Sequence, residues 1–217
     1  VTGPDEYTCL VDNNYYTNLS AQANLRSAVR FCRLLESRGR LGEGKKRLGL
    51  DAAELEEFTR AADAMFLPYD SRLDINPQDD TFLDKEKWDL AATPKEDFPL
   101  LLHYHPLALY RRQVCKQADA VLGHFLYGDG LPLSTLANSF HYYEGITTHD
   151  STLSVCIFSL MACRLGEMAK ALEYFHIASG IDLGDKHDNT ADGLHVAALG
   201  GTYLCMAMGF AGIRIRE

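Results

Sequence analysis

The sequence has little of what marks membrane or nucleic-acid-binding proteins. Its 217 residues contain no run of about 18 uninterrupted apolar residues, which excludes a bilayer-spanning helix. Lys and Arg number 21 against 30 Asp and Glu, so the chain lacks the basic face that duplex DNA or an anionic membrane requires. Its 47% apolar residues can nevertheless bury a substantial core, and the length suits one domain. We therefore expect neither nucleic acid nor a membrane as a partner.

The six cysteines are scattered and form no CxxC motif, so zinc or a disulfide framework has little support. Reduced thiols in a cytoplasmic protein are the preferred interpretation. His103 and His105 form an HxH pair without a third ligand. Further histidines without metal-like spacing are His124, His141, His176 and His187. We expect no metal and no organic cofactor.

The chain opens without an initiator Met and without the basic and apolar regions of a signal peptide. We therefore expect it to come from the middle of a longer gene product. A P-loop, a GxGxxG unit before a helix, GxSxG and HExxH are all missing from the sequence.

What the sequence does have is helical periodicity almost throughout. Alternation with period two is confined to residues 212–216, which could begin a strand. The glycine- and cation-rich segment 38–46 predicts a solvated loop, and the Asp-, Pro- and aromatic-rich segment 68–99 a long functional loop. The predicted helices cover approximately 17–36, 51–65, 106–125, 132–143, 151–164, 167–179 and 193–210.

Helices joined by alternately short and long connections indicate an all-α fold of antiparallel helical hairpins. No strict repeat is present, which favours a toroid of helix pairs over a solenoid. The long segments that enter the helices at 106, 151 and 193 would then share one end and form an active face.

Four groups of residues could carry chemistry, and each has a plain structural alternative. Adjacent acids in Gly3–Tyr7 could place one carboxyl group in a pocket as a proton donor, or form only a surface turn. Residues 147–154, with His149, Ser151 and Thr152, could open a helix as an anion cradle, or be an ordinary N-cap.

The third group, residues 189–195, is another helix start, with His195 in the first turn, and Gly200-Gly201 follow inside the helix. A core histidine beside a close helix crossing is the alternative. In the fourth group, Gln113 and Lys116 or Gln117 would share a helix face and could donate to sugar hydroxyls, or form a solvated face. Glu144, with two tyrosines before it, adds an acid of the kind found in sugar sites.

Several of these motifs, in this order, resemble glycoside hydrolase family 65, which includes maltose, trehalose and kojibiose phosphorylases. They are VTGPDEY with Asp12-Asn13-Asn14, YHPL at 104–107, RQVCKQAD at 112–119, Tyr143-Glu144, HDSTLS at 149–154 and DGLH at 192–195. The resemblance implies an (α/α)6 barrel between an N-terminal β-sandwich and a C-terminal β domain. Residues 1–211 would then form about the second half of that barrel, and residues 212–217 the start of the connection to the β domain.

The resemblance also implies roles for individual residues. Glu6 corresponds to the general acid, and Lys116, Gln117 and Glu144 correspond to sugar-binding positions. His149, Ser151, Thr152 and His195 fall where phosphate is held, although serine is commoner than threonine at position 152.

The implied reaction is inverting phosphorolysis of an α-glucosidic disaccharide by a full-length enzyme that is a homodimer, with phosphate as co-substrate. Two alternatives remain. One is an inverting α-glucoside hydrolase on the same scaffold, for which Asp150 is a possible base. The other is an inactive helical fragment that acts as an interaction module.

Overall fold

The computed structural model describes residues 1–185 and 189–214, and these are predominantly helical. The helices are α1 Tyr15–Ser37, α2 Gly42–Leu48, α3 Ala52–Asp63, α4 Leu100–His103, α5 Pro106–Tyr110, α6 Ala120–Tyr127, α7 Leu133–Glu144, α8 Val155–Leu165, α9 Met168–Ser179 and α10 Val196–Leu204. A π-helical segment, Cys205–Phe210, continues α10. No helix in this described part of the chain is both long and apolar enough to cross a membrane. The all-α prediction is confirmed.

Strand pairing among the described residues is limited to one short parallel pair and two isolated bridges. In the pair, β1 Glu86–Lys87 lies beside β2 Arg112–Gln113. Residues 212–214, where a strand was expected to begin, form none; Ile215, Arg216 and the earlier His187 lie outside the described residues.

The helix ends follow local side-chain chemistry. The Asn14 side chain accepts a hydrogen bond from the Thr17 backbone N–H at 2.9 Å, so Asn14 caps α1, which begins two residues before its predicted start. Asp51 caps α3, accepting from the Glu54 N–H at 2.8 Å, at the predicted start of this helix. The loop predicted over 38–46 is wrong in its second half, because α2 begins at Gly42.

The predicted helix over 106–125 is also wrong. Residues 112–113 pair as a strand, and Cys115 bridges in parallel to Thr147. Val114 and Cys115 are both buried, in different apolar clusters. In the sequence these apolar residues fit a helical pattern, although the segment that contains them is not helical. Helices α8 and α10 begin three to four residues later than predicted, at Val155 and Val196.

The core has two larger clusters that share α8. One joins α8 to α1, α6 and α7 through residues that include Tyr15, Phe140 and Phe158. The other joins α8 to α9 and α10. A Cβ on Gly201 would lie 2.5 Å from the Cys156 Sγ, so the glycine permits the close approach of α10 to α8.

The segment 68–99 is packed but mostly irregular, as the sequence predicts. Apart from β1 it contains 3-10 turns at Phe82–Asp84 and Lys95–Asp97. Phe82 and Gln78 are buried in the interior, which ties this segment to the core.

Candidate active site

The two adjacent acids near the start of the chain lie in opposite environments. Asp5 is buried, and its carboxylate accepts hydrogen bonds from the Lys116 N–H at 2.8 Å, the Gln78 Nε2 at 3.0 Å and the Tyr7 N–H at 3.3 Å. Burial raises the pKa of Asp5, while these hydrogen bonds oppose the rise. Glu6 is exposed. Asp5 therefore anchors the segment, and Glu6 is the acid that a ligand can reach.

A second buried carboxylate, that of Asp119, explains why position 3 of the chain is a glycine. Asp119 accepts from the Asn14 Nδ2 at 3.2 Å, and burial together with the charge of Asp5 raises the pKa of Asp119 well above its usual value. A Cβ on Gly3 would lie 2.2 Å from the Asp119 Oδ2 and 2.4 Å from the Asn14 Nδ2. Any side chain at position 3 would overlap these polar atoms, so only glycine fits there.

The proposed sugar-binding residues Lys116 and Gln117 lie in a bend directly after the bridge residue Cys115, so the helix face predicted for them is wrong. The segment is fixed by backbone hydrogen bonds from the Cys115 N–H to the Ile146 O and from the Thr148 N–H to the Cys115 O, both 2.9 Å. The Lys116 ammonium forms an ion pair with Glu6. The Gln117 amide instead donates to the Pro4 carbonyl and is largely buried.

Residues 148–151 form a turn beside a cavity of about 320 Å³, which is also lined by Val155, Ile177 and Ile181. His149 and Ser151 are thus brought to one cavity. Thr152, Glu6 and His195 are not among its lining residues. Since α8 begins at Val155, Ser151 and Thr152 lie in the turn before the helix and not in its first turn.

His149 has a left-handed backbone, with φ of 58°, which is costly for a residue other than glycine. Its ring is held in place: Nδ1 lies 2.8 Å from the Ser154 Oγ, and Phe158 meets the ring edge-on with centroids 4.7 Å apart. Such over-determined strain is typical of functional positions.

The turn is tied to the acid segment by a side-chain hydrogen bond. The Tyr7 hydroxyl donates to the Asp150 Oδ2 at 2.5 Å. Tyr7 directly follows Glu6, and Asp150 directly follows His149, so this hydrogen bond joins the segment of the expected proton donor to the segment of the expected anion site.

Glu144, at the end of α7, does not line the cavity. Its side chain instead contacts Lys170 and Tyr174. Its carboxylate accepts from the Lys170 Nζ at 2.6 Å and from the Tyr174 hydroxyl at 2.9 Å. The Tyr174 ring lies 5.3 Å from the His149 ring, centroid to centroid. Glu144 is therefore connected to His149 through Tyr174.

His195 is the residue before α10, so its predicted place in the first helical turn is wrong. Its Nδ1 lies 2.5 Å from the Asp182 Oδ1, and its backbone N–H donates to the Asp182 Oδ2 at 3.0 Å. The hydrogen bond from His195 lowers the pKa of Asp182. Asp182 directly follows Ile181, a residue of the cavity wall, so these hydrogen bonds tie His195 to the segment that forms part of that wall.

Sequence reasoning did not find the partners that orient these groups. Asp182 precedes His195 by 13 positions, and Tyr174 lies in an apolar helix where one tyrosine carries no signal. Tyr7 stands inside a recognised motif, but its partner is 143 positions away. Within residues 1–185 and 189–214, no group of three or more His, Cys, Asp or Glu side chains is placed to hold a metal ion.

Comparison with known proteins decides the family. The model described as "Glycosyl hydrolase family 65 central catalytic domain" matches residues 1–204. This chain belongs to glycosyl hydrolase family 65. The resemblance found in its motifs is confirmed.

Family 65 relatives match the chain over its whole length. It is 57% identical over 219 residues to an alpha,alpha-trehalose phosphorylase of Geobacillus stearothermophilus, covering 100% of this chain and 29% of that protein. It is 44% identical to an alpha,alpha-trehalose phosphorylase of Thermoanaerobacter brockii, with 99% and 28% covered. The chain thus spans less than a third of the length of these curated relatives.

A solved structure described as "Putative kojibiose phosphorylase from human microbiome" superimposes with a TM-score of 0.89 at 28% identity. The match covers 100% of this chain and 29% of that one. The all-α, barrel-like architecture is confirmed, while the assignment of residues 1–211 and 212–217 to particular domains stays a prediction.

Proposed function

We propose that the protein containing this chain cleaves an α-glucosidic disaccharide with phosphate and inversion, giving β-glucose 1-phosphate and a free sugar. The trehalose phosphorylases at 57% and 44% identity make α,α-trehalose the disaccharide to test first. The observation that supports the proposal is the Tyr7–Asp150 hydrogen bond, which joins the segment that carries the exposed Glu6 to the turn with His149 and Ser151.

In the proposed reaction, protonated Glu6 gives its proton to the glycosidic oxygen as the bond from that oxygen to the anomeric carbon breaks. The electron pair of the bond stays with the leaving sugar. A phosphate oxygen forms the new bond to the anomeric carbon from the opposite face, which inverts its configuration. The proton donor and the nucleophile must therefore lie on opposite sides of one bound sugar ring.

Phosphate would be held at the 148–151 turn. Backbone N–H groups, the Ser151 hydroxyl and the His149 imidazole are suitable donors, and His195 and Thr152 would add to them from adjoining positions. Phosphate is already an anionic nucleophile, so the protein needs only to position it and no metal or organic cofactor is required. Lys116, Gln117 and Glu144 would bind or orient the sugar.

The alternative, hydrolysis, requires a carboxylate that can take a proton from water. Asp150 is the acid among the described residues that line the cavity, and its Oδ2 already accepts from Tyr7 at 2.5 Å. An additional donor, the Leu100 N–H, lies 3.4 Å from the same oxygen. This engagement favours a structural role for Asp150 and supports phosphorolysis over hydrolysis.

The test is turnover of trehalose by the complete protein with and without inorganic phosphate, with separate assays for glucose and β-glucose 1-phosphate. We expect turnover to require phosphate and to yield the two products in equal amounts. Glucose released at the same rate without phosphate would identify a hydrolase instead.

The role of Glu6 is tested by Glu6→Gln, which keeps the shape of the side chain but removes the transferable proton. We expect a fall in kcat of ~10²–10⁴-fold, the contribution that general acid catalysis typically makes. Glu57→Gln, on an exposed face of α3, is the matched control and should retain full activity. Near-normal turnover by Glu6→Gln would remove Glu6 from the mechanism.

A further inference from the structure

The Tyr7–Asp150 contact joins two segments that are 143 positions apart in the chain. The Tyr7 ring is buried, with 1% exposure, in a small apolar cluster with Leu100, Leu109 and Val114. Its hydroxyl also accepts from the Leu100 N–H at 3.0 Å. The Tyr7 ring is therefore held by packing, and its hydroxyl group is held by a backbone donor. The position of the Tyr7 hydroxyl oxygen thus does not depend on Asp150.

Asp150 is the side chain through which the turn meets this fixed point. It stands between His149 and Ser151, both of which line the cavity. The left-handed backbone of His149, at φ 58°, requires stabilisation from outside the turn. The Asp150 carboxylate adds to the Ser154 and Phe158 contacts of the His149 ring by accepting the short hydrogen bond from Tyr7.

We propose that Tyr7 and Asp150 are positioning residues that fix the distance between the Glu6 carboxyl group and the anion-binding turn. The inference rests on the proposed function, since that distance matters only if Glu6 and a phosphate act on one sugar. Neither residue needs to touch the substrate. Misplacement of a reacting group by about 1 Å can cost ~100-fold in rate, so a single anchoring hydrogen bond can have a large kinetic effect.

Tyr7→Phe tests this in the complete protein, because it keeps the buried ring and removes only the hydroxyl. We expect kcat to fall at least 10-fold and the KM for phosphate to rise several-fold, while the KM for the disaccharide stays within twofold. A merely structural role would lower the thermal midpoint or the folded fraction and leave both constants of the folded enzyme unchanged.

Tyr104→Phe is the matched control. The Tyr104 hydroxyl donates to the Asp97 Oδ2, also at 2.5 Å, but this bond joins residues only seven positions apart, and neither of them lines the cavity. It should leave kcat and the KM for phosphate unchanged. An equal loss in Tyr104→Phe, or none in Tyr7→Phe, would overturn the inference.

Asp150→Asn gives a second and independent measurement. If the two side chains act as a pair, the double variant loses no more activity than the worse single variant. Additive losses would overturn the pairing. If the wild-type enzyme does not require phosphate for turnover, the proposed function and this inference are both wrong. If the wild-type enzyme requires phosphate and the Tyr7→Phe variant has unchanged kinetic constants, this inference alone is wrong.

Discussion

At the scale of single residues, the surroundings of a side chain decide its chemistry more than its type does. Asp5 and Glu6 are adjacent carboxylic acids, yet Asp5 is buried with three N–H donors and Glu6 is exposed beside Lys116. The sequence predicts a proton-donating acid in a pocket, but the buried acid is Asp5, and Glu6, the expected donor, is exposed. Which acid takes which place depends on Gln78 and the Lys116 backbone, 73 and 111 positions away from Asp5.

His124 allows a prediction about pH. It is fully buried against Asn76, whose Oδ1 lies 2.8 Å from the Nε2, and its Nδ1 has no hydrogen-bond partner. Burial lowers its pKa to about 3. Since the folded pKa lies below the unfolded value of about 6.5, the unfolded state binds more protons between these two values. The free energy of unfolding should therefore fall by up to about 1.4 kcal/mol per pH unit as pH drops below 6.5.

Unfolding measured between pH 7 and 4 checks this prediction. His124→Gln removes the titrating group and should flatten the pH dependence, whereas His176→Gln, at an exposed position on α9, should leave it intact. Parallel curves for wild type and His124→Gln would show that His124 does not contribute.

At the scale of secondary-structure elements, periodicity predicts the long helices well and the short segments badly. Helices α7 and α9 lie within a residue of their predicted bounds. The helix predicted over 106–125 is divided because residues 112–115 pair with β1 and with Thr147. Long-range backbone pairing of this kind leaves no periodic signal in the segment that undergoes it.

The glycine pair in α10 gives a matched prediction at this scale. A methyl group on Gly201 would overlap the Cys156 side chain, with only 2.5 Å to the Sγ, whereas one on Gly200 meets nothing within 4 Å. Gly201→Ala should destabilise the protein by about 1–3 kcal/mol through overpacking. Gly200→Ala should stabilise it by up to about 1 kcal/mol, since glycine disfavours helix. Denaturant unfolding of the two variants measures both signs, and equal effects would contradict the close crossing of α8 and α10.

At the scale of the whole molecule, apolar surface is the prominent feature. Val196, Leu199, Tyr203 and Met206 recur at helical spacing from α10 onward and are 73%, 47%, 65% and 50% exposed. An apolar stripe of this kind usually marks an interface. The relatives are more than three times as long as this chain, so the rest of such a protein offers surface to cover the stripe.

We predict that the 217-residue chain, produced alone, is inactive and self-associates through this stripe. Light scattering coupled to size exclusion should show species larger than 24.2 kDa. Replacing Val196 and Tyr203 with lysine should shift the distribution toward the monomer, and Leu48→Lys, at an exposed position outside the stripe, should not. A monomeric wild-type chain, or measurable phosphorolysis by it, would contradict this prediction. The homodimer and the cytoplasmic location of the longer protein stay predictions.

The sequence by itself determined the helical class and the family, because periodicity and short motifs are local properties of the chain; its site residues stay a prediction. Tertiary structure decided which groups meet: Tyr7 with Asp150, Glu6 with Lys116, and His195 with Asp182. It also decided that Asp5 and Gln117 are buried and that Lys116 lies in a bend outside any helix. The reason is physical: hydrogen bonds and burial depend on partner residues that folding brings from distant positions in the chain. The local sequence of one segment does not identify those partners.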